Sequence, residues 1–120
     1  MVGYIDFHAY GQYWLYPWGY APIFTPDNVT QTNLAEECVS SIRSVHNKIY
    51  SEGCSAILLY PAAGGSDDWT YSQGIVWSYT VELRDTGKYG FLLPPAEIIP
   101  TGEEIWAGVQ SFTSYIASNQ

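Results

Sequence analysis

The run Gly74-Ile75-Val76-Trp77-Ser78-Tyr79-Thr80-Val81-Glu82-Leu83 restricts this chain more than any other. β-Branched and aromatic residues dominate it, a turn glycine opens it, and it reads as a buried strand. Glu82 breaks the pattern near its end. An ionised carboxylate buried alone is costly, so such a residue is paired with a cation, bound to a metal, or held as an acid/base with a raised pKa. The alternative is an edge-strand Glu turned to solvent. Arg84 and Asp85 follow at once.

The segments around that strand alternate between strand and helix patterns, which gives the α/β class. Tyr4-Ile5-Asp6-Phe7 is apolar enough for a buried strand that delivers His8 at its end. Residues 9 to 27, punctuated by Gly11, Pro17, Gly19, Pro22 and Pro26, read as a long loop of the kind a small domain keeps for function. Asp27, Asn28 or Thr30 can cap a helix whose Leu34, Cys38, Ile42, Val45 and Ile49 recur every three or four residues, with Gly53 as its stop. Ser55 to Tyr60 reads as a short buried strand closed by Pro61, and Asp67 or Asp68 as the cap of a short helix running to Gly74. After Glu82 come turn residues 86 to 90, then a segment that Pro94, Pro95 and Pro100 keep extended. Thr101 with Glu104 makes a capping box for a last helix with Ile105, Val109, Phe112 and Ile116 on one stripe. The sum is three to four strands, two long helices and one short helix.

At 120 residues the chain suits one domain that buries roughly two-thirds of its unfolded surface. Its net charge of -8 reflects scarce bases, only Arg43, Lys48, Arg84 and Lys88, which argues against a nucleic-acid partner. No apolar stretch is long enough to span a membrane, and Met1-Val2-Gly3-Tyr4 lacks the features of a signal peptide. Cys38 and Cys54 fit either one disulfide or two buried thiols.

Local context leaves each chemistry-bearing residue with two readings. His8 is a metal ligand or base presented at a strand end, or a hydrogen-bonded structural histidine. A zinc site needs further protein ligands, and His46, the other histidine, has no carboxylate at the spacing of a His-x-x-Glu pair. Asp67-Asp68 is a helix cap or a carboxylate facing a pocket. Tyr60, before Pro61 and a glycine-rich loop, is a packed aromatic or a phenol that swings over substrate. Neither a Gly-x-Ser-x-Gly elbow nor a phosphate-binding glycine loop is present.

Taken together, Ile5-Asp6-Phe7-His8-Ala9-Tyr10-Gly11-Gln12, Leu15-Tyr16-Pro17-Trp18-Gly19-Tyr20, Tyr60 to Trp69, and Tyr79 to Pro94 resemble the zinc metallocarboxypeptidases of the pancreatic carboxypeptidase A/B type, in order and in spacing. The resemblance implies the C-terminal part of that family's mixed-sheet fold, over residues 1 to 120. It implies zinc as the cofactor, His8 as a zinc ligand and Glu82 as the carboxylate that activates the attacking water. By the same resemblance Tyr60 covers the substrate's C-terminal carboxylate and Tyr10 belongs to a subsite. Leu15, Gly19, Ser55, Ala62, Asp67 and Thr80 then line the specificity pocket. Asp67 matches the B type, where a carboxylate receives a C-terminal Lys or Arg.

The resemblance also implies what this stretch does not carry: the His-x-x-Glu zinc ligands and the arginines and asparagine that hold the substrate. The expected partners are therefore peptide or protein C-termini and the missing N-terminal portion of the catalytic domain, and the isolated chain is expected to be inactive and to bind zinc weakly. The family is secreted as a rule, so the parent protein is expected to be extracellular. An expectation of a different class is a non-catalytic folding unit that self-associates through an exposed sheet edge.

Overall fold

The central strand forms where the sequence places it, as β4 (Trp77–Leu83), and its alternation organises the molecule around it. Tyr79 and Val81 face a closed core, while Ser78, Thr80 and Glu82 face the other way. β1 (Gly3–Ala9) runs parallel to β4 and sets His8 beside Glu82 and Asp6 beside Thr80. β2 (Tyr13–Tyr16) pairs antiparallel on the other flank with Leu15 opposite Thr80, and β3 (Ser51–Cys54) runs parallel to β2. The order β1-β4-β2-β3 makes a mixed sheet. The computed structural model describes residues 1–119.

Two long helices, α1 (Asn28–His46) and α4 (Ile98–Ser118), cover the Tyr79 face. Trp14, Leu34, Cys38, Ile42, Tyr79 and Val81 lose all solvent contact there, each large apolar side chain contributing about 1.5–3 kcal/mol. Gly108 lets the helices close: a Cβ at that position would meet Ile42 at 3.1 Å and Trp14 at 3.2 Å. On the opposite face lie the short α3 (Ser66–Ser72) and the loop before it, held by Ser78 Oγ donating to the Asp67 carbonyl at 2.8 Å. Cys38 and Cys54 are both buried free thiols, which settles the choice left open by the sequence.

Several local readings give way to tertiary context. The expected loop from 9 to 27 contains β2, an apolar run too short for its period to be read and yet an interior strand of the sheet. The first helix ends at Asn47, in the left-handed conformation, so Ile49 falls beyond it and Val45 and Ile49 are exposed; Gly53 lies within β3 rather than stopping a helix. Ser55 to Tyr60 is not a strand: Ser55–Leu58 is a single helical turn, α2, and the strand precedes it. The segment after β4 forms short 3₁₀ turns at Gly90–Leu92 and Pro95–Glu97 instead of staying extended, and Pro100 sits in the first turn of α4, where a missing N–H is tolerated.

Glu104 explains why the capping box fails. α4 starts upstream of Thr101, and Glu104 turns inward with no exposure to bind Arg84, its Oε1 accepting from Nε at 2.7 Å and its Oε2 from Nη2 at 2.6 Å. Glu97 takes the remaining edge of the guanidinium. These carboxylates hold the Arg84 pKa above its ordinary value. A buried cation demands such partners, and that demand outweighs a helix cap worth about 1 kcal/mol.

Candidate active site

The sheet face that the long helices leave free carries a cavity of about 390 Å³. Its floor is strand: Asp6 and His8 from β1, Leu15 from β2, Thr80 and Glu82 from β4. Its wall is the connection from β3 to α3, supplying Ser55, Leu59, Tyr60, Ala62, Gly64, Gly65, Ser66 and Asp67. Of the residues singled out from sequence, Glu82, His8, Tyr60, Asp67, Leu15, Gly19, Ser55, Ala62 and Thr80 all meet around this one space. Tyr10 stands outside its lining, its ring edge-on to Phe91 at 5.0 Å.

Glu82 is held but not satisfied. Its Oε2 is buried and has no hydrogen-bond partner among the described residues, and burial pushes its pKa up, against a smaller opposing pull from His8. The nearest imidazole is engaged elsewhere, since His8 Nε2 donates to Asp6 Oδ2 at 2.9 Å. That bond raises the His8 pKa, and together with Ser66 Oγ, which donates to the same oxygen at 2.5 Å, it holds Asp6 below the usual carboxylate range. Two-residue alternation put Asp6 on the face of His8, so its place in the cavity was available from the sequence and passed unread.

The paired aspartates divide their work. Asp68 caps no helix: its Oδ1 accepts the Gly19 N–H at 2.8 Å and its Oδ2 the Tyr20 N–H at 3.0 Å, pinning the 17–20 loop to the pocket wall. The N-cap position of α3 belongs to Gly65 and makes no side-chain cap. Asp67, only 5% exposed, lines the cavity, and among the described residues no cation lies within ion-pair distance of it. Burial, with Asp68 as a smaller contribution, pushes its pKa up. Tyr60 is 69% exposed at the rim, and among the described residues nothing hydrogen-bonds its hydroxyl.

Zinc can be tested against these groups directly. Among the described residues no set of three or more histidine, cysteine or acidic side chains is gathered closely enough to hold a metal ion. His8 offers one imidazole nitrogen, and the orphaned Glu82 oxygen is the kind of group that stands beside a bound water. The residues present fit one share of a zinc hydrolase centre and not a complete one.

The mixed sheet thus has one face sealed by helices and, on the other, an imidazole, a carboxylate oxygen without a partner among the described residues, and an acidic recess. The chain belongs to the zinc carboxypeptidase family, whose profile matches residues 1–108. It is 46% identical over 114 residues to carboxypeptidase B of Astacus astacus, and 42% identical over 116 residues to carboxypeptidase A1 of Bos taurus. These alignments take in 94% and 97% of the chain but 38% and 28% of the relatives, so it spans well under half their length. Among solved structures, bovine thrombin-activatable fibrinolysis inhibitor in complex with tick carboxypeptidase inhibitor superposes with a TM-score of 0.97 at 40% identity, covering 99% of this chain and 40% of that one. Carboxypeptidase A from Helicoverpa armigera gives 0.90 at 28% identity, covering 98% and 30%.

Proposed function

We propose that this chain is the C-terminal share of a single zinc carboxypeptidase catalytic domain that removes Lys or Arg from peptide C-termini. The orphaned, buried Oε2 of Glu82 carries the catalytic part of the reading. In it, Glu82 accepts a proton from the water that attacks the scissile carbonyl and delivers it to the departing amine as the C–N bond breaks. His8 would hold zinc, which when bound supplies Lewis-acid polarisation of the carbonyl and a more acidic water. Tyr60, exposed at the rim, closes over the substrate's terminal carboxylate, and Tyr10 contacts the residues upstream. Leu15, Gly19, Ser55, Ala62 and Thr80 line the recess for the terminal side chain, and Asp67 supplies its charge.

Basic specificity is supported by Asp67 alone among the lining groups of the inner recess. A buried carboxylate without a cation is an unfavourable state that a Lys or Arg side chain relieves. The remaining zinc ligands and substrate-holding arginines come from the portion of the relatives that this chain does not span, and the protein acts outside the cell. The isolated chain is then silent. Supplying that portion in trans from the Astacus carboxypeptidase B relative should restore zinc-dependent release of C-terminal Arg, and Glu82→Gln should lower kcat about 10²–10⁴-fold. Turnover by the chain alone, or a complemented enzyme indifferent to Glu82→Gln, overturns the reading.

A second reading, a non-catalytic unit that self-associates, is favoured by one observation. β1 is an edge strand with Phe7 46% exposed, so its open side offers backbone and apolar surface to another copy.

A further inference from the structure

Asp6 is the group through which the cavity's strand floor and its wall touch. It lies two residues before His8 on the same face of β1, at the register position of Thr80. Its Oδ2 accepts from His8 Nε2 at 2.9 Å and from Ser66 Oγ at 2.5 Å. Ser66 opens α3 and immediately precedes Asp67. Among the described residues nothing hydrogen-bonds His8 Nδ1.

We propose that Asp6 is a positioning residue for His8: its carboxylate accepts a hydrogen bond from Nε2–H and so holds the proton there, the ring presents Nδ1 to the metal, and by accepting from Ser66 it ties that ring to the helix carrying Asp67. The proposal rests on reading His8 as a zinc ligand. A neutral imidazole exists as two tautomers, and only the form protonated at Nε2 leaves a lone pair on Nδ1. Holding that form removes the loss of affinity that a ligand suffers when its competent state is partly populated. A lone His–Asp pair with His8 half exposed would hold the ring weakly. The Ser66 bond changes that, because it fixes the carboxylate from the wall side. One oxygen then sets both the ring orientation and the distance between the metal-facing strand and the specificity helix.

The test needs no catalysis. In the metal-free chain at about pH 9, where imidazole is neutral, long-range ¹⁵N–¹H spectra should show His8 protonated at Nε2. Asp6→Ala should give a mixture of tautomers, and Asp6→Asn should move the same way. Ser66→Ala should keep the Nε2–H tautomer, yet both it and Asp6→Ala should speed hydrogen exchange at the Trp69 and Thr70 amides. Zinc alone, titrated into the trans-complemented protein, should bind the Asp6→Ala form about 10–100-fold more weakly. A wild-type ring protonated at Nδ1, an unchanged tautomer in Asp6→Ala, unchanged exchange in both variants, or equal zinc affinity each overturns the proposal. Failure of the carboxypeptidase reading shows separately, as a complemented wild type that binds zinc and releases no C-terminal Arg.

Discussion

Asp67 is a buried carboxylate in the cavity lining with no cation within ion-pair distance among the described residues, and two consequences follow for that one side chain. Its folded pKa is raised by burial, so its contribution to stability is fully present below the ordinary carboxylate pKa and is lost as pH rises through the raised value. Asp67→Asn should therefore raise the melting temperature at pH 7 and leave it nearly unchanged in acid, as thermal scans at both pH values would show. In the complemented enzyme the same substitution should cost about 2–5 kcal/mol in kcat/KM for a C-terminal Arg substrate while sparing Phe. An unchanged Arg-to-Phe ratio would remove Asp67 from the specificity argument. Glu82 sets the other limb: with its pKa also raised by burial, activity should fall as pH drops through a value above the usual carboxylate range, visible as the acid limb of a kcat profile.

Among the elements, β4 and the two long helices were legible because each carries its own period: alternation in Tyr79 and Val81, three-and-four spacing in Leu34, Cys38 and Ile42 and in Ile105, Phe112 and Ile116. β2 and β3 were not, since a four-residue strand has no period to read and owes its existence to its neighbours. The cavity's members were named through a resemblance to whole motifs; geometry then added Asp6 and Ser66 and gave Asp68 a loop to hold. Glu104 shows the limit most plainly. Its local pattern says cap, whereas its partner lies 20 residues away in sequence at the end of β4. Arg84→Ala should leave that buried carboxylate without its guanidinium, with only the His46 imidazole at 3.5 Å, and cost about 3–5 kcal/mol in denaturant unfolding. A loss below about 1 kcal/mol would place the pair with ordinary surface bridges.

The whole molecule joins a sealed core to an open boundary. Its closed face is sealed around a buried core, but among the described residues β1 keeps one edge unpaired, and Val2, Phe7, Ile98, Ile99 and Trp106 stay more than two-fifths exposed. Phe7→Lys places a charge on that edge and should shift sedimentation toward monomer at concentrations where the wild type associates. An identical distribution would take self-association away from β1. The clamp between Arg84 and Glu104 has a further consequence, for the order of events during synthesis. Arg84 leaves the ribosome 13 residues ahead of Glu97 and 20 ahead of Glu104, the carboxylates that pair with it. A nascent chain that has emerged only through β4 therefore lacks both carboxylate partners of Arg84, two residues from Glu82, and the end of that strand gains its clamp only when the segment leading into α4 and α4 itself arrive. Protease protection of β4 in stalled chains of increasing length should rise once Glu104 is free of the exit tunnel, which makes the last helix a timer for the strand that floors the cavity on the opposite face.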